Sequence, residues 1–160
     1  MNQRLIRKEE FVEVLLPKFQ FKPGEYYLHC AATNHFLALQ ERHLLLDNTQ
    51  EQIPTLTGLI KLVQNQDGST ALYSSLNDIR LKVDNVGEMV TVSQYDKELY
   101  DFELFQAAGN GNGQLIIRSV QTNMFVRVIS ESLRLCADVA HPFDASKFVL
   151  KDRYFIRYLA

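Results

Sequence analysis

The amino-acid sequence predicts an all-β protein in which one four-stranded unit occurs three times. Turn signals made of Gly, Asn, Asp and Pro end at Gly24, Gly68 and Gly113, which lie 44 and 45 residues apart. A repeat of this length is typical of a supersecondary unit that buries its apolar face only against its neighbours. The units are expected to span residues 19–58, 59–101 and 102–150.

Within each unit the elements follow in the same order. An apolar run comes after the turn, and a short Asn- or Asp-containing turn follows it, because these residues tolerate left-handed backbone. The next run alternates polar and apolar residues, most clearly in Ile79–Val83, which is typical of a strand with one buried face. The fourth run closes each unit and covers residues 44–46, 89–92 and 133–136. A longer polar connection then leads to the runs at 59–63, 102–105 and 148–150, and residues 19–21 are the corresponding run ahead of the first unit.

A single four-stranded unit has exposed edges and half a core, so it is not stable alone. Three such units can close a barrel, cap one end with the remaining hairpins and share one core, which predicts a β-trefoil with pseudo-threefold symmetry. A two-sheet sandwich also has short, regularly spaced strands, but it gives no reason for a threefold period. We expect one domain over residues 1–160, with segment 1–18 and tail 151–160 packing on it. Residues 9–16 fit a helix or a strand equally well.

Composition excludes several classes of function. The 160 residues carry 17 Lys and Arg against 19 Asp and Glu, so the chain lacks the positive field that sequence-independent nucleic-acid binding needs. No apolar run approaches the length of a membrane span, and no Cys/His cluster predicts a metal or other cofactor. Cys30 and Cys136 lie in apolar runs and are expected to be buried free thiols. The N-terminus has no secretory layout, which predicts a cytoplasmic protein or one exported without a signal peptide.

The sequence contains no catalytic constellation, so we expect the protein not to be an enzyme. The glycine-rich segment 109–113 precedes a strand rather than a helix, which favours a hairpin loop over a phosphate loop. Ser74 and Ser119 have no base or acid partner fixed by spacing. His29 and His35 can approach each other across the first hairpin, but no third metal ligand is implied.

The third unit resembles a repeat of the fascin-type actin-crosslinking trefoils. The likeness lies in the Arg-Ser strand at residues 114–119, the aromatic–aliphatic pair at 123–126, the Leu-Cys-Ala-Asp stretch at 135–138 and the Phe-Val-Leu close at 148–150. The resemblance implies a protein partner, with actin as one candidate. A single trefoil carries one copy of each surface, so crosslinking would need dimerisation or further domains.

The first unit is similar to fibroblast-growth-factor and interleukin-one-like trefoils, through Leu-His-Cys at 28–30 and His-Phe-Leu at 35–37. That likeness implies an alternative function as a leaderless receptor ligand. A carbohydrate-binding trefoil is a further alternative, although the chain has no Trp and therefore lacks the core signature of ricin-type lectin trefoils. A sugar binder of that kind is expected to repeat its polar and aromatic pocket residues in all three units.

Binding residues are expected in the loops, which a rigid scaffold presents to partners. The longer connections are residues 47–58, 93–100 and 137–147. Aromatic and histidine side chains in or beside two of these loops either anchor a partner or close the open end of the barrel. The candidate binding residues are Tyr95, Tyr100, His141 and Phe143.

Overall fold

The computed structural model describes residues 16–39, 44–46, 58–96, 101–107, 113–129, 131–132 and 134–154. These residues form twelve strands: β1 (Gly24–Cys30), β2 (His35–Leu39), β3 (Leu44–Leu46), β4 (Leu59–Gln64), β5 (Thr70–Ser74), β6 (Ile79–Val83), β7 (Met89–Ser93), β8 (Phe102–Gln106), β9 (Leu115–Ser119), β10 (Phe125–Val128), β11 (Leu135–Val139) and β12 (Phe148–Asp152). A short 3₁₀ turn, Pro142–Asp144, precedes β12. The described part of the chain holds no helix with the length and hydropathy of a membrane span.

Six strands form a closed barrel. Around the ring, β1 pairs with β4, β4 with β5, β5 with β8, β8 with β9, β9 with β12 and β12 with β1, and every pairing is antiparallel. Hairpins β2–β3, β6–β7 and β10–β11 extend from β1, β5 and β9, and strands β3, β7 and β11 approach one another at the cap. The predicted architecture of three four-stranded units is therefore confirmed.

The threefold relation extends to individual hydrogen bonds. At the ends of β1, β5 and β9, one backbone amide donates to a carbonyl that lies just before or at the start of β12, β4 and β8, respectively. These bonds are Ala31 N to Lys147 O at 3.0 Å, Ser75 N to Leu59 O at 3.1 Å and Val120 N to Asp101 O at 3.2 Å. The donors Ala31, Ser75 and Val120 therefore occupy equivalent positions, and the three acceptors do as well.

The core fills the barrel and the cap. The inward positions of β1, β5 and β9 include Leu28, Leu72 and Ile117, which are all buried. In β6, the buried Leu81 and Val83 flank the half-buried Lys82, and this is the period-two pattern that was visible in the sequence. Cys30 is a buried free thiol, as expected. Cys136 is also free but only half-buried, because Leu135 and Ala137 take the inward positions of β11.

The N-terminal run differs from expectation. Residues 19–21 were predicted to correspond to the runs at 59–63, 102–105 and 148–150, yet they lie outside any strand, and β12 pairs with β1 instead. The segment before them runs along β8, where Lys18 forms an isolated bridge with Phe105 and the amide of Phe19 donates to Leu104 O at 2.8 Å. Residues 1–15 and 155–160 lie outside the described residues, so the helix-or-strand question for residues 9–16 stays open.

Candidate functional site

The predicted loop residues lie on the surface rather than inside the barrel. Tyr95 is 74% exposed and Phe143 is 61% exposed, so the alternative that they close the barrel is wrong for both. Tyr95 comes two residues after β7 and His141 two residues after β11. The two therefore follow equivalent strands of units 2 and 3. Because these strands are related by the pseudo-threefold axis, the two loops lie at separate positions around that axis and do not form one cluster. Tyr100 lies outside the described residues.

The loop before β12 holds its aromatic residue in a defined position. Pro142 is buried, and the His141 ring accepts a hydrogen bond at Nδ1 from the amide of Phe143 at 3.2 Å. The two rings stack with their centroids 4.9 Å apart and their planes 28° apart. Ala145, which follows the 3₁₀ turn, is buried in a small apolar cluster beside Phe125. The exposed Phe143 ring therefore stands on a turn that is fixed to the body.

A second feature is an open cleft of about 670 Å³ on the outer face of β4 and β5. Its lining includes Lys61, Val63 and Tyr73 from the strands and residues of the β5–β6 turn, and Gln94 closes one side. Cavities of about 300–1,000 Å³ are the size range of small-molecule sites. Sequence analysis did not predict this cleft.

Hydrogen-bonding groups converge on the cleft. Asp78 Oδ1 accepts a hydrogen bond from Gln94 Nε2 at 3.2 Å, and the amide of Gln94 donates to Asp78 O at 3.0 Å. Ser75 Oγ is buried and has no hydrogen-bond partner among the described residues. Asn77 and Lys61 are exposed at the rim. The cleft therefore combines one aromatic ring with the carboxylates of Glu25 and Asp78, side-chain amides and an ammonium.

A buried ion pair supports the aromatic wall of the cleft. Arg80 Nη2 donates to Asp101 Oδ1 at 2.8 Å, and Asn65 Nδ2 donates to Asp101 Oδ2 at 2.8 Å. The side chains of Arg80 and Asp101 are only 5% and 9% exposed. The Arg80 guanidinium carbon lies 5.1 Å from the centroid of the Tyr73 ring, which is within cation–π range. This ion pair fixes the guanidinium on which the Tyr73 ring rests.

The equivalent face of unit 3 is covered. Strand pairing aligns Lys61–Tyr73 on β4–β5 with Glu103–Arg118 on β8–β9. There Lys18 donates to Glu103 Oε2 at 2.7 Å and lies over the Phe105 ring.

The cover changes the chemistry of Glu103. Its carboxylate also accepts a hydrogen bond from Arg118 Nη2 at 2.8 Å. Burial alone would raise the pKa of Glu103, but the hydrogen bonds and charges of Lys18 and Arg118 outweigh burial and leave that pKa below its ordinary value. A segment that precedes the first strand thus closes on unit 3 the face that is open on unit 2.

In unit 1 the position of Tyr73 is taken by His29. Its Nε2 lies 2.9 Å from Asn34 Oδ1, and burial lowers the pKa of His29 despite the opposing effect of that hydrogen bond. The described residues contain no group of three His, Cys, Asp or Glu side chains that could hold a metal ion. His29 therefore acts as a partner of the β1–β2 turn.

The serines considered as nucleophiles serve their turns. Ser74 Oγ accepts hydrogen bonds from the amides of Leu76 and Asn77, at 3.2 and 3.1 Å. Ser119 Oγ accepts from the amide of Thr122 at 3.3 Å. The same side-chain cap thus recurs in units 2 and 3 and organises the turn that, in unit 2, forms one wall of the cleft.

One sequence signal pointed to the cleft. Arg80 occupies the position of Phe36 and Phe125 in the other units, and Asp101 occupies the position of Leu59. An oppositely charged pair thus takes two positions that the apolar pair Phe36 and Leu59 fills elsewhere in the fold. This departure from the repeat is the signal in the sequence that predicts a special site at β4 and β5.

Comparison with known proteins supports the fold. No protein-family model matches the chain, and no curated protein does. Among solved structures, it is similar to the crystal structure of a designed 3-fold symmetric protein, ThreeFoil, with a TM-score of 0.64. The chain has a β-trefoil fold. The match covers 80% of this chain and 98% of ThreeFoil at 13% sequence identity, which shows a shared trefoil fold alone.

Proposed function

We propose that this trefoil is a non-catalytic binding module that recognises a protein partner through its exposed loop aromatics. The observation that carries the proposal is Phe143, 61% exposed yet held on the buried Pro142 and stacked on His141. A large ring that is exposed on a rigid support loses little conformational freedom when it binds, and such aromatic residues are typical binding anchors. Tyr95, on the equivalent loop of unit 2, offers a second anchor.

The absence of catalysis is part of the proposal. Its support is that the candidate nucleophiles Ser74 and Ser119 are acceptors of turn amides, which directs their lone pairs to the backbone. The likeness of the third unit to fascin-type trefoils favours a cytoskeletal partner, with actin filaments as the first to test. The likeness of the first unit to growth-factor-like trefoils favours a receptor ligand as the alternative.

Filament co-sedimentation tests the cytoskeletal form of the proposal. The wild-type protein is expected to pellet with actin filaments, and Phe143→Ala is expected to weaken that binding about tenfold because it removes the anchor ring. Val86→Ala is the matched control, since Val86 is 84% exposed on the β6–β7 turn, away from both loops. It should bind as the wild type does.

The outcomes separate the alternatives. If the protein stays in the supernatant with filaments, actin is removed as partner. Affinity capture from cell extract and from a set of receptor ectodomains then tests protein binding in general. A partner that binds through the loop should be captured by Val86→Ala but not by Phe143→Ala. If no capture depends on Phe143 or Tyr95, the loop aromatics are not the binding surface.

A further inference from the structure

We propose that the cleft on β4 and β5 of unit 2 binds a neutral, hydroxyl-rich ligand, a mono- or oligosaccharide, between the Tyr73 ring and the Asp78–Gln94 pair. The site lies on a barrel face rather than in the aromatic loop before β12, and it does not rest on the protein-binding function proposed above. Lys18 covers the equivalent face on β8 and β9, whereas the face on β4 and β5 is open.

The chemistry of the lining selects this class of ligand. Sugar hydroxyls both donate and accept hydrogen bonds, so they can bond to the Asp78 carboxylate and to the side-chain amides of Asn77 and Gln94. The C–H face of a pyranose ring is apolar and packs on an aromatic ring such as Tyr73.

Other ligand classes fit the cleft less well. Lys61 is the only cation among its lining residues, and it lies with Glu25 and Asp78, so a polyphosphate would meet as much repulsion as attraction. An extended peptide usually adds to a free strand edge. Both edges of β4 and of β5 are already paired within the closed barrel.

The ion pair behind the cleft makes its wall rigid. Arg80 lies 5.1 Å from the Tyr73 ring centroid and is held by Asp101, which Asn65 also binds. Sites bind well when the residues that touch the ligand are themselves held by a second layer of contacts. Arg80 and Asp101 are therefore positioning residues for Tyr73, and their presence in unit 2 alone accounts for a single site in a threefold fold.

The other two units show why a search for a repeated pocket fails. At the position of Tyr73, unit 1 has His29 bonded to Asn34, and unit 3 has Arg118 bonded to Glu103 beneath Lys18. Neither offers an open aromatic ring beside a carboxylate–amide pair such as Asp78 with Gln94. A sugar site in this protein does not follow the symmetry of the fold.

The test is a screen on a glycan array, followed by titration of the isotope-labelled protein with lactose, maltose, cellobiose and chitobiose. At least one glycan is expected to shift the amide resonances of Lys61, Tyr73 and the β5–β6 turn. Sorbitol, an open-chain polyol without a ring face, is the ligand control and should leave them unchanged.

Variants place the ligand in the cleft. Tyr73→Ala and Gln94→Ala should each weaken binding about tenfold, which is the loss of one anchor contact or one hydrogen-bonded pair. Asn77→Ala, exposed on the turn, keeps the test valid if Tyr73→Ala folds poorly. Gln121→Ala, in the equivalent turn of unit 3, is the matched control and should bind normally. The proposal is overturned if no glycan shifts these resonances, if sorbitol shifts them equally, or if binding survives both Asn77→Ala and Gln94→Ala.

Discussion

The guanidinium of Arg80 donates a hydrogen bond at 2.8 Å to the carboxylate of Asp101, at the two positions equivalent to those where Phe36 packs beside Leu59. Unit 2 thus contains a charged pair where symmetry would allow an apolar one. A buried ion pair repays its desolvation only with good geometry and further hydrogen bonds. Asn65 supplies one of these, yet Arg80 Nε has no partner among the described residues.

Removing one member of this pair should destabilise the fold strongly. Asp101→Ala leaves the Arg80 charge buried and unpaired, and we expect a loss of about 3–5 kcal/mol in the free energy of unfolding. The double variant Arg80→Phe with Asp101→Leu copies unit 1 and should recover most of that loss. Urea unfolding of the three proteins gives the comparison. If the double variant is as unstable as Asp101→Ala, the apolar pair does not fit unit 2 and the equivalence of the two sites is wrong.

The ion pairs of Glu103 predict a dependence of stability on pH. The pKa of Glu103 is lower in the folded protein than in the unfolded chain, so its contribution is complete above the unfolded value of about 4.3 and is lost as pH falls through the folded value. Glu103→Gln removes the charge between Lys18 and Arg118 and should cost about 2 kcal/mol at pH 7.

The pH profile of the variant provides the check. Thermal unfolding from pH 7 down to pH 3 should show a smaller difference between Glu103→Gln and wild type at each step below pH 4.3, as the wild-type carboxylate takes up its proton. A difference that stays constant over this range would mean that the Glu103 charge does not stabilise the fold.

Gly58 is expected to tolerate no side chain. A Cβ at this position would lie against the carbonyl oxygen of Leu37 on β2, well inside van der Waals contact. Gly58→Ala therefore requires the backbone of β2 to move, and we expect a loss of about 3 kcal/mol. At Gly68 nothing lies near an added Cβ, but φ is +90°, so Gly68→Ala should cost only about 1 kcal/mol of backbone strain. Equal losses in urea unfolding would contradict the close approach at Gly58.

The two thiols should differ in reactivity. Cys30 is buried in the barrel core, and Cys136 is half-buried with its pKa raised first by burial and then by the charges of Asp138 and Glu88. Because the thiolate is the reactive form, both should alkylate slowly at pH 7 in the native state, with Cys136 ahead of Cys30. Iodoacetamide labelling read by peptide mass spectrometry measures the order, and unfolding in urea should make the rates equal. Faster labelling of Cys30 would contradict the packing of the barrel.

Much of the fold could be predicted from the sequence because the repeat and the strand alternation are both visible in the order of polar, apolar and turn-forming residues. The turns at Gly24, Gly68 and Gly113 set the period, and Ile79–Val83 showed its buried face directly. The run at residues 19–21 was misassigned because its apolar pattern matches a strand, while the ring position it would fill is taken by β12. Local pattern does not reveal which of two strands reaches β1.

The candidate site was harder to predict, because the face on β4 and β5 differs from the matching face on β8 and β9 only in what covers it. Tyr95 and Phe143 could be named as loop aromatics from their position alone, although their exposure is known only from the structure. Tyr73 could not, since an outward strand tyrosine is ordinary until Lys18 is seen to cover the matching face on β8 and β9. Such contacts join residues 85 positions apart and leave no local signal.

The pairing of β1 with β12 also decides when the protein can finish folding. During synthesis the strand that completes the ring is the last of the twelve to be made, and it brings Phe148, which is wholly buried. Until then the nascent chain presents an unpaired edge on β1, the kind of surface that invites misfolding and chaperone binding. A translation pause placed before β12 should therefore lengthen the period in which this protein is vulnerable to aggregation.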